Sequence, residues 1–223
     1  MSAFEAWKYL HVLMFVFWVG TDLGVFLSAK KSTDPSLSFD TRVLMLHTAL
    51  RIELLPRTMW KLALPLGVML SENLGAINIG TGGVILTWIL SIVWWAISMY
   101  GAWHYDKPIG HKFAKVTNFL TGTVGVALIV IAAWSLLGNG PIAPDATWLS
   151  WKIGLYGLIN LMVIVMIIVF DPLGEAFGRL AVEGSTPEIE AVISGCMNRS
   201  AVVIWATYAT IGLVAFIATT KII

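Results

Sequence analysis

Histidine, aspartate and basic side chains interrupt the apolar stretches of this 223-residue chain. His11 and Asp22 lie in the first such stretch, and a separation of eleven residues, at about 100° per residue, puts them on one helix face. An ionisable group inside a membrane span is costly and marks a functional site by default. We therefore expect His11 to bind a ligand, and Asp22 either to relay protons or to form a structural ion pair with Arg51.

A basic stripe in the second apolar stretch supplies further candidates. Four of its residues share an arc of about 120° on a helical wheel: His47, Arg51, Arg57 and Lys61. Such a stripe cannot face lipid, so it must face the bundle interior, a cofactor or water. Glu53 lies four residues before Arg57 and can neutralise it.

Haem b would use these residue types. Its iron takes one or two neutral imidazoles, and its propionates favour nearby Arg or Lys. The candidate iron ligands are His11, His47, His104 and His111. The candidates for binding propionates or a substrate carboxylate are Arg51, Arg57, Lys61 and Lys152. Copper is the alternative metal, because histidine and methionine also suit copper, and a quinone would need a donor such as histidine and an apolar slot.

The composition indicates what must position these groups. Hydrophobic residues make up 58% of the chain and charged residues only 12%, whereas globular domains have about 25% charged residues. So much apolar surface needs lipid to cover it. A net charge of +1 argues against a nucleic-acid partner. The single Cys196 excludes an intramolecular disulfide and a cysteine-cluster metal site.

The sequence predicts an all-α integral membrane bundle that forms one transmembrane domain over residues 1–223. Each crossing needs about 20 residues. The six predicted helices cover residues 7–29, 41–70, 83–103, 115–137, 148–170 and 199–219. An amphipathic lead-in from Thr186 precedes the last helix, because Thr-Pro-Glu is a typical helix start. The first apolar run is too long for a cleaved signal peptide, so we interpret it as a retained helix.

Basic residues in alternate loops predict the orientation. The loops after helices 1, 3 and 5 contain Lys or Arg, and the loops after helices 2 and 4 contain none. Because cytoplasmic loops carry the excess of Lys and Arg, both termini should lie outside. This topology puts four candidates in the outer half of the membrane: His11, Arg57, Lys61 and Lys152. Five others belong to the cytoplasmic half: Asp22, His47, Arg51, His104 and His111.

Short motifs in the chain resemble a known membrane superfamily. Residues 7–12 (WKYLHV), followed by 17–20 (FWVG), resemble the first helix of HemJ-type protoporphyrinogen oxidases, of copper-resistance D proteins and of the membrane part of membrane-bound urate oxidases. Residues 148–152 (WLSWK) resemble the Trp-Leu-x-x-Lys start of a later helix in the protoporphyrinogen oxidases. A weaker match covers residues 50–70, where a basic residue precedes Leu-Pro and an apolar run that contains glycine.

The resemblance implies a haem-associated membrane bundle, with His11 in the place of the haem-ligand histidine and Lys152 in the place of the functional lysine. In the protoporphyrinogen oxidases the lysine helix follows closely on helix 2, whereas here helices 3 and 4 intervene. This difference favours the wider superfamily over the porphyrinogen activity itself. Together with the lack of targeting signals, the resemblance implies the inner membrane of a bacterium.

The leading hypothesis is a haem b protein with redox function. It would work as an oxidoreductase or in electron transfer with a quinone, a porphyrin or a redox partner. Lys152 and Asp22 are the candidates for catalysis. In one variant a second haem lies between His47 and either His104 or His111, which would carry electrons across the membrane.

Two alternative functions stay open. One is a transporter of copper or of a small anion, because Pro56 and Pro65 interrupt the basic helix and free backbone carbonyls. The other is a structural or assembly subunit of a larger membrane complex, and a homo-oligomer is equally open. The sequence does not separate these alternatives.

Overall fold

The computed structural model describes residues 2–222, and over that range the chain is almost entirely helical. Its helices are α1 (Ala3–Ser32), α2 (Phe39–Ile52), α3 (Leu54–Asn73), α4 (Gly80–Trp103), α5 (Pro108–Leu136), α6 (Thr147–Phe170), α7 (Pro172–Glu183) and α8 (Pro187–Thr220). The only β-type pairing in the described range is an isolated bridge between Ile77 and Ile142. The predicted all-α bundle is confirmed.

Five segments are long and apolar enough to cross a membrane, and they contain α1, α4, α5, α6 and α8. The chain is therefore a multi-pass membrane protein. α5 begins at Pro108, earlier than its apolar stretch predicts, whereas α8 begins at Pro187 with Thr186 as its N-cap, so the predicted lead-in to the last helix is confirmed. Proline is favoured in the first helical turn because the amide hydrogen that it lacks has no partner there, so both helices extend beyond the apolar zone.

The predicted helix over residues 41–70 is two helices that meet at Glu53. Pro56 causes the break, because proline has no N–H to donate to the carbonyl of Ile52 and its ring crowds that carbonyl. Pro65 remains inside α3. The break ends the common face of the basic stripe, and His47 and Arg51 on α2 are exposed.

The helices surround a common interior. α1 packs against α2 and α3, each later span packs against the next (α3 with α4, α4 with α5, α5 with α6, α6 with α8), and α8 returns to touch α1. The approach of α5 to α6 is very close, because a Cβ on Gly157 would stand 2.6 Å from the carbonyl oxygen of Gly125. Glycine at these two positions lets the backbones meet.

We call the end of the bundle at which α1 finishes the inner end. There the amphipathic α7, which the sequence analysis did not predict, packs its apolar face on the beginning of α8. Arg42 is 2% exposed and forms a bidentate pair with Glu190 of α8, at 2.6 and 3.0 Å. Its Nε also donates to the carbonyl of Ser32, so Arg42 ties the ends of α1 and α8 together.

The opposite, outer end is covered by two loops, residues 74–79 and 137–146. The amide of Ala143 donates to the carbonyl of Ala76 at 3.0 Å. Ile77 and Ile142 form the isolated bridge and are buried with Leu149 in one apolar cluster. We call these paired loops the outer cover.

Candidate functional site: a cavity in the outer half

An apolar cavity lies beneath the outer cover, between α1, α3, α6 and α8. Its polar lining groups include His11 from α1, Lys152 and Tyr156 from α6, and Ser71 from α3. The cavity has a volume of about 100 Å³. It has room for a few water molecules or one small ring, and it is smaller than the roughly 300 to 1,000 Å³ typical of cofactor pockets.

The imidazole of His11 lies against the backbone of α3 at Gly67. A Cβ on Gly67 would stand 3.2 Å from His11 Cε1 and 3.7 Å from Nε2. The ring nitrogen Nδ1 is buried and has no hydrogen-bond partner among the described residues. Buried polar atoms are nearly always paired, so an unpaired imidazole nitrogen in an apolar cavity marks a position where a ligand can bind.

Lys152 reaches the same cavity from the second turn of α6. Tyr156 follows one turn later and donates its hydroxyl to the carbonyl of Trp60 at 2.6 Å, and its ring meets Trp18 edge to face at 6.4 Å between centroids. The α6 face that carries Lys152 is thereby fixed against α1 and α3. Lys152 and His11 are the two nitrogen-bearing side chains of the cavity that can accept or donate protons.

Arg57 and Lys61, which the topology puts in the same half of the bundle, do not line the cavity. Arg57 pairs with Glu53 at 2.8 Å and donates to Ser98 of α4 at 3.1 Å. Lys61 is fully buried, and its Nζ lies 3.9 Å from the ring centroid of Trp60. Both therefore belong to the contact between α3 and α4, because the face of α3 toward the cavity is formed by Gly67 and its apolar neighbours.

Asp22 lies in the inner half of α1 and accepts a hydrogen bond from the hydroxyl of Tyr208 on α8 at 2.8 Å. The alternative in which Asp22 pairs with Arg51 is not what the structure shows. Arg51 is exposed, and its guanidinium lies over the ring of Trp103 at 4.8 Å. The break at Glu53 explains the difference, since it ends the continuous face on which Arg51 was expected to turn inward.

The other three histidines lie at the inner end and are not gathered into one cluster. His47 is exposed, and its ring edge meets Tyr105 at 6.1 Å. His104 Nδ1 is 3.0 Å from the carbonyl of Tyr100, and His111 is exposed in the first turn of α5. Within residues 2–222 no group of three or more His, Cys, Asp or Glu side chains is placed to hold a metal ion.

Three residues that contact the candidate side chains or line the cavity were not predicted from the sequence: Gly67, Tyr156 and Tyr208. Tyr156 was open to prediction, because it lies four residues after Lys152 and so on the same face of a helix. Gly67 and Tyr208 carry no such signal, because each acts only through contact with a residue on another helix.

Comparisons of the chain with models of protein families, with curated proteins and with solved structures find no match.

Proposed function

We propose that this chain is a haem b-binding membrane protein with redox function and that His11 is an axial ligand of the iron. The observation that carries the proposal is the imidazole of His11, whose Nδ1 is buried without a partner in the apolar cavity that also holds Lys152. A neutral imidazole binds the iron through one nitrogen and donates a hydrogen bond from the N–H of the other.

The residues of the cavity suit haem b in kind. The lining is mostly apolar, as a macrocycle requires, and Lys152 supplies a cation for a propionate or for a substrate carboxylate. Gly67 leaves room for the histidine ring beside α3. The cavity of about 100 Å³ is smaller than a macrocycle needs, so a haem would bind only if the lining helices move apart.

His11 is the one histidine that lines the cavity among the described residues. A haem there would therefore be held by a single protein imidazole among the residues that line the cavity. Bound haem would supply one-electron chemistry, while Lys152 would hold a carboxylate or exchange a proton beside it.

The decisive experiment is an absorption spectrum of detergent-purified protein, expressed with haem available, before and after dithionite. Wild-type protein should show a Soret band that sharpens into reduced haem b bands. His11→Ala should lose these bands, and His104→Ala, a matched change at the inner end, should keep them. A colourless wild-type protein, or a haem spectrum unchanged by His11→Ala, would overturn the assignment.

A quinone headgroup is the second candidate occupant. The specific observation is the enclosed space of about 100 Å³, which is close to what a single ring requires. His11 and Lys152 could each donate a hydrogen bond to a quinone carbonyl in this apolar slot. Retention of a quinone by purified wild-type protein, but not by His11→Ala or Lys152→Met, would support this occupant over haem.

Transport of copper or of a small anion remains an alternative proposal, as does a role as a subunit of a larger complex. The basic residues that suggested transport are engaged otherwise, because Arg57 pairs with Glu53 and Lys61 is enclosed by tryptophan rings. The transport alternative would be supported if proteoliposomes with the wild-type protein took up copper and those with Arg57→Gln did not. A chain that purifies colourless and is stable only with a partner would favour the subunit role.

We also propose that the outer end faces the periplasm of a bacterial inner membrane. The basic loops all lie at the inner end. Single cysteines can test this in a Cys196→Ser background, since Cys196 is buried. In whole cells a membrane-impermeant maleimide should label Asn139→Cys in the outer cover and not Lys107→Cys before α5. The reverse pattern would invert the proposed orientation.

A further inference from the structure

A second cavity lies next to the cavity beneath the outer cover, on the surface of α6 and α8 that faces the lipid. It has a volume of about 330 Å³ and is lined by apolar side chains and one hydroxyl, among them Trp151, Leu155, Leu213 and Phe216. Trp151, Leu213 and Phe216 are each about half exposed, so this groove opens toward the bilayer. We call it the lipid-side groove.

The cavity and the groove lie on either side of one helix contact. On α6, Lys152 and Tyr156 line the cavity, whereas Trp151 and Leu155, the residues immediately before them, line the groove. On α8, Val214 lines the cavity and Leu213 lines the groove. The contact between α6 and α8 is therefore the wall that separates a space holding nitrogen donors from a space that is almost entirely apolar.

The outer cover lies between the cavity and the outer aqueous phase. Ile77 and Leu149 line the cavity and are buried in the cluster that joins the two loops of the outer cover. The amides and carbonyls of those loops are paired with each other at 3.0 and 3.2 Å. A solute from the outer aqueous phase would have to pass this cover, whereas a molecule dissolved in the bilayer would have to pass between α6 and α8, from the groove to the cavity.

We propose that the cavity takes a ligand from the bilayer, a single ring with a hydrocarbon tail such as a prenylated quinone, with the ring beside His11 and Lys152 and the tail leaving between α6 and α8 into the lipid-side groove. This inference rests on the quinone alternative for the cavity, because the ring would lie beside His11 in the place that a haem would otherwise occupy. The enclosed space matches one ring, and the adjoining groove has room for several methylene groups without a polar partner. An amphiphile would fill both the cavity and the groove, whereas a free anion would suit only the cavity and a simple acyl chain only the groove.

Binding of two probes to protein in nanodiscs tests the proposal: a dimethoxy-methyl-benzoquinone with a decyl tail and the same ring without a tail. Empty nanodiscs correct for partitioning into lipid. Wild-type protein should bind the tailed probe several-fold more tightly than the tailless ring. Leu213→Trp, which fills the groove, should remove this advantage and leave binding of the tailless ring unchanged.

The matched control is Val202→Trp, an exposed apolar position on the same helix outside the groove, which should behave as wild type. His11→Ala should weaken both probes. The proposed role of the groove would be wrong if wild type bound the two probes with equal affinity. It would also be wrong if Leu213→Trp still bound the tailed probe more tightly than the tailless ring. If neither quinone binds but the haem spectrum depends on His11, this inference fails while the proposed function stands.

A photoreactive azido derivative of the tailed quinone gives a second test on unaltered protein. Crosslinked peptides from wild type should come from α6 and α8 around Leu155 and Leu213. Labels confined to the outer cover, residues 74–79 and 137–146, would mean that the ligand enters from water and would contradict the proposal.

Discussion

The imidazole of His11 rests on the α-carbon of Gly67, and a Cβ at residue 67 would stand 3.2 Å from its Cε1. This distance is short enough that the ring would have to shift by a few tenths of an ångström for alanine and much further for a branched side chain. Residue 67 thereby limits where the histidine ring can lie, although it has no functional group of its own.

We predict that Gly67→Val lowers the amount of haem or quinone bound per protein severely, and that Gly67→Ala lowers it only slightly. The valine methyl groups would occupy the place of the ring, and such overpacking costs about 1 to 3 kcal/mol. The measurement is bound ligand per protein, together with thermal unfolding in detergent. Gly20→Val is the control, because a Cβ at Gly20 meets nothing within 4 Å. Equal loading of the Gly67 variants and wild type would contradict this role.

A second prediction concerns the buried ion pair at the inner end. Glu190→Gln should lower the free energy of unfolding by about 2 to 4 kcal/mol, because it leaves the guanidinium of Arg42, which is 2% exposed, without its counter-charge. The measurement is reversible unfolding in mixed detergent micelles. Arg179→Gln is the matched control, since its pairs with Glu183 and Glu188 are exposed and worth less than about 1 kcal/mol. Similar losses for both variants would show that burial of Arg42 has no special effect.

A third prediction separates the partners of Asp22. Tyr208→Phe removes the hydroxyl that donates to the Asp22 carboxylate at 2.8 Å and should cost about 1 to 3 kcal/mol of unfolding free energy, as hydrogen bonds to charged groups do. Arg51→Gln should cost less than about 1 kcal/mol, because Arg51 is exposed and its guanidinium lies over the face of the Trp103 ring. The same unfolding assay measures both. A larger loss for Arg51→Gln would restore the ion pair that the sequence suggested.

A fourth prediction concerns the close approach of α5 and α6. A Cβ on Gly157 would stand 2.6 Å from the carbonyl oxygen of Gly125, and neither backbone atom can move without separating the helices. Gly157→Ala should therefore destabilise the protein by about 1 to 3 kcal/mol, as measured by its thermal midpoint in detergent. Gly122→Ala should be nearly neutral, because a Cβ there meets nothing within 4 Å. A neutral Gly157→Ala would mean that the two helices can adjust.

Five of the six predicted spans, and their order, agree with the structure, because length and hydropathy are properties of single segments. The remaining one, residues 41–70, is divided at Glu53 into α2 and α3, which are not among the five apolar segments. The amphipathic α7 was missed, although the apolar spacing of Leu173, Phe177 and Leu180 fits one helix face. Such a helix is too short and too polar on one face to be recognised as a membrane span. The start of α5 at Pro108 was missed for a similar reason, since its first turns are polar.

The candidate site could be predicted in part. His11 and Lys152 were expected on the same side of the membrane, and the structure brings both to one cavity. The same reasoning predicted how deep in the membrane Arg57 and Lys61 lie, but not which neighbouring helix they face. The predicted helix is broken at Glu53, and α3 turns both side chains toward α4. Depth follows from counting residues along a span, whereas direction depends on how the broken helix packs.

The order in which the chain is synthesised restricts when the outer cavity can be filled. His11 is synthesised before Lys152 and before the loop that carries Ile142, which follow only after α5. A nascent chain that has inserted α1 to α4 therefore has the imidazole but neither its neighbouring amine nor the loop that completes the cover. Loading must therefore await α6, and a product that stops before α6 stays empty.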